Sequence, residues 1–426
     1  MSGTLPVGVA VRDITPPPGL PMAGFVARPG PATGTHDPLT VRAIAVGDTA
    51  LAVVDVVALS PETSRRIRSR AGLPDRNIVV TCLHTHGGPV STPEGLGDGA
   101  DPVWLAAMED ACVAALDEAV ARQRPATLAY AEAPDPGIAR NRRHPERAAG
   151  TSLQVLVATG EDGTPIAHLV TYACHPVVLG ADNRLWTADF PGVMRRLVEE
   201  RHPGTVALFA TGCCGDLNTG HTAHGSITTA SNPLRTFAEA ERIGHVLADA
   251  LAGLSPAPLP DVVAVANDAI VAMPLARNEP TSAAALAARW EAERPIAPPG
   301  RAALLESWTA WANGLALLPP APMPARVAVL RWGGLTVATL PGEIFSATGA
   351  DLRRAIEASR LGPAMVLAYA DECRGYIPPV AEYPFGGYEV AEAHRYYGAR
   401  AAYAPGGAER LADAALQLAR QLVHRA

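Results

Sequence analysis

Short apolar runs of strand character alternate with amphipathic stretches of helical character along the whole chain. Turn sequences separate three pairs of apolar runs, which predicts antiparallel hairpins at 41–57, 152–173 and 326–340. Apolar positions that recur with helical spacing predict helices at 101–121, 190–201, 235–253, 281–292, 301–316, 346–359 and 407–424. Because hairpins and longer crossovers are intermixed, we expect an α/β fold whose sheets are mixed and not purely parallel.

The amino-acid composition changes at one place, between about 255 and 325, where Pro-rich runs punctuate Ala-rich helices. The strand-rich segment 326–340 follows this region. We therefore interpret it as a helical excursion inside one catalytic domain that spans 1–426. A linker between two domains is the alternative.

The overall composition allows a sizeable core and argues against a nucleic-acid partner. Of the 426 residues, 48% are hydrophobic and 18% are charged. The formal net charge is −7, and all 35 basic side chains are Arg. An acidic balance of this kind does not favour a phosphate-binding surface. The absence of Lys also excludes a Schiff-base mechanism.

The sequence gives no sign of export or membrane insertion. The first residues lack the charged and apolar regions of a signal peptide, and no apolar run approaches the length of a membrane span. We expect a cytoplasmic protein that acts on a small-molecule substrate and could form a homo-oligomer. The cysteines lack CxxC spacing and are expected to be reduced thiols: Cys82, Cys112, Cys174, Cys213, Cys214 and Cys373.

Three segments carry a His or Glu just after a strand-like run, where binding and catalytic groups often collect. They contain His84 in LHTHGGP at 83–89, His175 in YACHP, and Glu343 in LPGE. Imidazole and carboxylate groups are typical zinc ligands. Each segment alone has an ordinary structural interpretation: a surface His-x-His pair, a core histidine, or a carboxylate at a helix N-terminus. With an extended strand through 78–86, His84 and His86 would point to one face.

Three loops add further candidates. The segment ATGCCGDLN at 210–218 runs from a strand into a Gly-containing loop that could present N–H groups to an oxyanion, with Asp216 as a brace. Cys213 or Cys214 could be a thiol nucleophile, although no dedicated base is apparent. The cluster RNRRHP at 140–145 is either a solvated face or an Arg fork for a substrate carbonyl or carboxylate. The loop 374–389 carries three tyrosines, whose default role is packing: Tyr376, Tyr383 and Tyr388.

Taken in order, these segments resemble the catalytic domain of the neutral/alkaline, non-lysosomal ceramidase family. That family's THTHSGP motif matches LHTHGGP at 83–89. The other matching positions are Asn141-Arg142, His175-Pro176, Gly215-Asp216, PGE at 341–343 and the Y-x6-Y-x4-YE spacing at 376–389. The resemblance spans nearly the whole chain. It implies the family's layered domain, in which two mixed β-sheets are flanked by helices.

The resemblance also implies a metal centre and its neighbours. A zinc ion, Zn²⁺, would be held by His84, His175, Glu343 and Tyr376. His86 and Arg142 would lie beside it, to hydrogen-bond the attacking water or to stabilise the oxyanion. Gly212 and Cys213 begin the loop expected to support that oxyanion. The residues expected to contact the substrate are Asn141, Arg143, Asp216, Tyr383 and Tyr388.

The chain departs from the family in two ways. The family's proposed serine nucleophile falls on Gly212, which has no side chain, so a covalent serine mechanism is excluded at that position. Attack by zinc-bound hydroxide is the working hypothesis. The family's additional C-terminal immunoglobulin-like domain and lipid-facing context are not visible here. A small, fairly polar amide is therefore expected as the substrate instead of ceramide.

The sequence thus predicts a zinc-dependent amidohydrolase that cleaves a linear amide. The alternatives are an ester or lactone hydrolase at the same site, and a zinc-dependent lyase or cyclase acting on a small metabolite. A degenerate binding protein is the non-enzymatic alternative.

Overall fold

The computed structural model describes residues 3–93, 95–97, 99–276, 282–315 and 322–423. Residues 281, 316 and 424, the predicted ends of three helices, lie outside the described residues. The gaps at 277–281 and 316–321 both fall in the Pro- and Ala-rich excursion.

Seven predicted helices are confirmed, and one helix was missed. The α-helices within the described ranges are α1 (Pro61–Arg70), α2 (Pro102–Ala121), α3 (Asp189–Arg201), α4 (Phe237–Ala252), α5 (Ala283–Glu293), α6 (Pro299–Gly314), α7 (Ser346–Ala358) and α8 (Gly407–Val423). Helix α1 has a single large apolar residue, Ile67, so it shows no helical periodicity. It begins instead through local chemistry, because the Ser60 side chain accepts a hydrogen bond from Thr63 N and Pro61 occupies the first turn.

The strands form two larger mixed sheets and three two-stranded ladders within the described residues. The strands are β1 (Leu5–Asp13), β2 (Gly34–Thr35), β3 (Thr40–Val46), β4 (Thr49–Val54), β5 (Ile78–Cys82), β6 (Arg124–Pro134), β7 (Arg140–Asn141), β8 (Ser152–Gly160), β9 (Pro165–Tyr172), β10 (Leu185–Trp186), β11 (Val206–Thr211), β12 (Leu217–Asn218), β13 (Ala257–Pro258), β14 (Ala264–Met273), β15 (Met323–Trp332), β16 (Leu335–Thr339), β17 (Glu343–Ile344), β18 (Ala364–Leu367) and β19 (Tyr376–Ile377).

The first sheet has the order β11-β9-β8-β6-β1-β3-β4-β5, and β13 pairs with β6. Its parallel pairs are β9 with β11 and β4 with β5, and the remaining neighbours are antiparallel. The second sheet has the order β14-β15-β16-β18, with β16 and β18 parallel. The expected mixed sheets flanked by helices are therefore confirmed.

The three predicted hairpins are present as β3/β4, β8/β9 and β15/β16. In the last of these, Gly333 and Gly334 form the turn with φ values of +59° and +100°, a region that suits glycine. The register pairs Trp332 with Leu335 across the turn.

The two sheets face each other, with helices on their outer sides. The Trp332 indole N–H on β15 donates to Thr49 Oγ1 on β4 at 2.7 Å, and Gln154 on β8 donates to the Ala364 carbonyl of β18 at 3.1 Å. Helix α2 covers β1, β3 and β4, and α8 covers β14, β15 and β16. Strand β4 is buried at every position, which explains why its sequence is apolar throughout after Thr49.

Helices α5 and α6 pack against each other and build a separate apolar cluster. Its largest members are Trp290 and Trp308, whose ring centroids lie 5.3 Å apart. No helix within the described residues has both the length and the apolarity to cross a bilayer. All six cysteines lie within the described residues and are buried and free.

The segment that follows β18 joins the sheets at the ends of their parallel strands. Leu367 bridges to Gly212, just after β11, and Ala370 bridges to Thr81 on β5. The loops after β5, β9, β11 and β16 meet here. Thr211 Oγ1 donates to Leu83 O at 2.7 Å, the Gly212 N–H donates to Tyr172 O, and the Tyr369 N–H donates to Gly342 O. These are the loops in which the sequence placed its candidate ligands.

Candidate metal centre

His84 lies two residues beyond the end of β5, at a sharp turn of the backbone. Its φ of +68° is uncommon for a residue with a side chain. The strand ends at Cys82, so the extended strand assumed through 78–86 is wrong. The turn nevertheless brings His84 Nε2 within 3.5 Å of His86 Nε2. His84 Nδ1 donates to the Val57 carbonyl at 2.5 Å, which leaves Nε2 without a proton in the neutral ring.

His175 follows β9 and is held by one carbonyl group. Its backbone N–H donates to Leu217 O at 3.1 Å, and its ring Nδ1 donates to the same oxygen at 2.8 Å. The side chain is 1% exposed. Because Nδ1 carries the proton, the lone pair of the neutral ring is on Nε2.

Glu343 is fully buried at the start of the ladder β17/β19, where it pairs with Tyr376. Its Oε2 lies 2.6 Å from His175 Nε2 and 3.4 Å from His84 Nε2. Its Oε1 accepts a hydrogen bond from the Tyr397 hydroxyl. The alternative that Glu343 serves the N-terminus of α7 does not hold, because Asp216 accepts the hydrogen bond from Ser346 N at 2.7 Å.

The three ligand groups form a compact set of buried acceptors. His84, His175 and Glu343 offer ligand atoms that all lie within 4.8 Å of one another. Burial lowers the pKa of His175, although Glu343 opposes this, so the neutral ring is favoured. Burial acts to raise the pKa of Glu343, but the two histidines outweigh it and hold that pKa well below its usual range. Imidazole nitrogens and a carboxylate oxygen that face each other in a buried site fit a divalent cation such as zinc.

Tyr376 and Arg142 lie on one side of this set. The Tyr376 ring stacks on His175 with centroids 6.4 Å apart, and its hydroxyl accepts a hydrogen bond from Arg142 Nη2 at 2.8 Å. Arg142 Nε donates to Glu389 at 2.9 Å. Burial acts to lower the pKa of Arg142, but Tyr376 and Glu389 outweigh it and raise that pKa well above its usual value. Arg142 is therefore a fixed positive charge beside the cluster, and Tyr376 as fourth ligand stays a prediction.

His86 lies on the other side of the cluster. Its ring contacts the Phe25 ring at a centroid distance of 4.7 Å, and its buried Nδ1 has no hydrogen-bond partner in the described part of the chain. Burial lowers the pKa of His86 well below its usual value. A neutral imidazole with an unpaired nitrogen can accept or deliver a proton.

The loop after β11 is only partly directed at the cluster. The Gly212 N–H donates to the Tyr172 carbonyl at 3.2 Å, so it does not point toward the ligand atoms. Gly212 and Cys213 line a separate cleft of about 260 Å³ beside α7. Burial raises the pKa of the Cys213 thiol, which disfavours the nucleophilic thiolate. Asp216 accepts from Asn141 Nδ2 at 2.9 Å, so both residues brace the loop from within.

The other residues expected to contact substrate differ in how far their side chains are already engaged in hydrogen bonds. Arg143 donates to Glu382 at 3.0 Å, to Glu389 at 2.7 Å and to the Gly386 carbonyl at 2.8 Å. The Tyr383 hydroxyl donates to the backbone at Tyr403 O, 2.9 Å away. Tyr388 is partly exposed, and its ring lies 5.9 Å from that of Tyr376. Of these, Tyr388 is the best placed to meet a substrate.

Two tyrosines at the cluster were missed by the sequence reasoning. Tyr397 binds Glu343 through its hydroxyl, and Tyr369 stacks on His84 with centroids 4.2 Å apart. Tyr369 lies directly after β18 and has a φ of +58°. Its position at a strand exit is the same signal that marked the histidines. Tyr397 lies in a short irregular segment near the chain's last helix, where spacing gives no such signal.

The comparison with solved structures identifies the fold. No family model matches this sequence, and no curated protein matches it. A solved structure of neutral ceramidase from Pseudomonas aeruginosa is 18% identical, covers 100% of this chain and 75% of that chain, and superposes with a TM-score of 0.75. A solved ceramidase complex is 17% identical, covers 99% of this chain and 76% of that chain, and has a TM-score of 0.75. At these identities the likeness establishes architecture, and the chain has a neutral ceramidase-like fold over its whole length.

Proposed function

We propose that this chain is a single-domain, zinc-dependent hydrolase that cleaves a linear amide of a small, fairly polar substrate. One observation supports a bound metal. His175 Nε2 and Glu343 Oε2 lie 2.6 Å apart, although Nδ1 is the nitrogen of this ring that donates to Leu217 O. Two acceptors repel each other at that distance unless a proton or a cation lies between them. Zinc is the cation that best suits two imidazoles and a carboxylate in a buried site.

The amide bond as the target is supported by the fold and by the groups that flank the cluster. Zinc bound there supplies a Lewis acid that activates water and polarises the carbonyl. His86, neutral and beside the cluster, would move the proton from water to the leaving amine. The fixed charge of Arg142 would stabilise the developing oxyanion. Gly212 offers no side chain for a covalent step, so water would attack directly.

Metal content is the first test. The purified protein should hold about one zinc per chain, and His175→Ala and Glu343→Ala should both lose it. His168→Asn is the matched control, since His168 is also a buried histidine but lies on β9 away from the cluster, bonded to Thr205 at 3.0 Å. The proposal would be contradicted if the His168→Asn control alone lost zinc. It would also be contradicted if the wild type held no zinc after reconstitution.

The reaction is tested separately with labelled solvent. Hydrolysis of an amide in oxygen-18 water places one labelled oxygen in the carboxylate product. A lyase or cyclase at the same site gives unlabelled product. Trapping of an acyl group on any side chain would contradict direct attack by water.

A further inference from the structure

A groove made of two joined cavities lies beside the metal cluster. The first cavity has a volume of about 290 Å³, and its apolar walls include Val26, Ile227, Leu304 and Tyr396. The second has a volume of about 560 Å³, and its lining includes the charged and polar residues Arg142, Thr222 and Glu389. Three residues line both cavities: Ala223, Tyr388 and Glu392. The two cavities therefore form one groove, and its second end carries more charged groups.

The apolar cavity adjoins the groups that flank the cluster. Tyr388 forms part of its wall, and the Tyr388 ring lies edge-on to the Tyr376 ring at 5.9 Å. Gly24 forms another part, and a Cβ at this position would lie 2.4 Å from His86 Nδ1. The cavity therefore lies close to Tyr376 on one side of the cluster and to His86 on the other.

The excursion helix α6 limits the size of the apolar cavity. Leu304 on α6 lines the same cavity as Tyr388 and is 7% exposed. Helix α6 is held against the segment 223–227 because residue 300 is glycine, where a Cβ would lie 1.5 Å from the Ile227 carbonyl oxygen. Arg301 and Glu392 supply the charged part of the lining. The volume is at the lower limit of ordinary ligand pockets, about 300–1,000 Å³.

We propose that α6 and Ile227 make this site selective for amides with a short hydrocarbon acyl group, which lies in the apolar cavity while the polar amine part lies toward Arg142 and Glu389. This inference rests on the proposed function and adds the substrate class to it. A long acyl chain would have to leave the cavity past Leu304 or Ile227. The helical excursion thus determines which acyl-chain lengths the site accepts.

Binding of straight-chain carboxylates to the zinc-loaded protein tests the inference without turnover. The probes are the saturated series from butanoate to dodecanoate, with affinity measured by calorimetry. Each methylene that enters the cavity should raise the affinity about fourfold. The rise should stop once the cavity is full. An affinity that climbs without a break through dodecanoate, or that never depends on length, would overturn the inference.

Two variants and one control identify the residues that limit the length of the bound acyl chain. Leu304→Trp should weaken octanoate binding at least tenfold, and Ile227→Ala should move the break to longer chains. The matched control is Asn313→Trp, an exposed position on the same helix that lines neither cavity. Because Leu304 is buried and its variant could fail to fold, Ile227→Ala on the partly exposed segment provides the second, independent measurement. An unchanged break in a folded Ile227→Ala protein would contradict the assignment.

The inference and the proposed function fail in different ways. A length-limited series of bound carboxylates, without cleavage of any amide, would keep the cavity assignment and remove the hydrolase. Cleavage of acyl amides at rates independent of acyl length would keep the hydrolase and remove the cavity assignment.

Discussion

Replacing Tyr397 by Phe should weaken zinc binding about tenfold to a hundredfold while the fold stays intact. The Tyr397 hydroxyl donates to Glu343 Oε1, whereas Oε2 faces His84 and His175. The hydrogen bond therefore fixes which carboxylate oxygen is directed at the histidines. A hydrogen bond to a charged group contributes about 1.5–3 kcal/mol. Loss of a partner that orients a metal ligand typically costs 10–100-fold in affinity, which is the same range.

Zinc affinity is measured by competition between the metal-free protein and a chromogenic chelator. Tyr383→Phe is the matched control, because it removes a hydroxyl that donates to Tyr403 O and does not contact the ligands. Both variants should unfold within about 1 kcal/mol of each other in the metal-free form, since each loses one hydrogen bond. Equal zinc affinity in the Tyr397 variant and the control would refute the assignment of Tyr397 as a positioning residue.

Three further predictions concern His168, the Arg195–Asp55 ion pair and Gly24. Burial lowers the pKa of His168 to about 4 from 6.5, so the unfolded chain gains a proton first as the pH falls, and stability declines between pH 6.5 and 4. At a pH near 5 the loss is about 2 kcal/mol, and a His168→Asn protein should lack it in denaturant titrations; equal pH profiles would contradict this. Arg195→Met should cost about 3–5 kcal/mol, because the buried Asp55 then loses its partner at 2.8 Å. The double variant Asp55→Asn/Arg195→Met should recover part of this loss. Gly24→Ala should reduce hydrolysis without loss of bound zinc, because the new Cβ displaces His86; parallel loss of zinc would instead make His86 a ligand.

The helices and hairpins could be predicted because their signals are local. Periodicity and turn residues lie within a few positions of one another, as in the GG turn of β15/β16. The candidate ligands could also be found, since His84, His175 and Glu343 each follow a strand in the sequence. Their convergence could not be worked out from spacing. It depends on how the strands pair and on which strand ends meet across the two sheets, and the sequence resemblance supplied that information.

The irregular chain after residue 374 could be predicted least. Arg143 is an example: the sequence offers a cation in a loop, and the structure surrounds it with Glu382, Glu389 and the Gly386 carbonyl. A partner more than 200 residues away leaves no periodic trace near the arginine. Glu389 in turn aligns Arg142 beside Tyr376. Tyr397 was missed for a similar reason, because its partner Glu343 lies 54 residues earlier in the sequence.

Contacts between the two sheets stabilise the strained backbone at His84. Asp371 accepts hydrogen bonds from Arg68 and, at 2.6 Å, from Arg326 Nη1, and its own N–H donates to Val80 O on β5. These contacts fix the turn that carries Tyr369, whose ring stacks on His84.

Residues in sparsely populated backbone regions cost about 1–3 kcal/mol each, and His84, Tyr369 and Asp371 all have positive φ. Such conformations persist only where the surroundings determine them strongly. The buried Arg68–Asp371–Arg326 group therefore contributes to the orientation of the His84 ring, because it fixes the turn whose Tyr369 stacks on that ring.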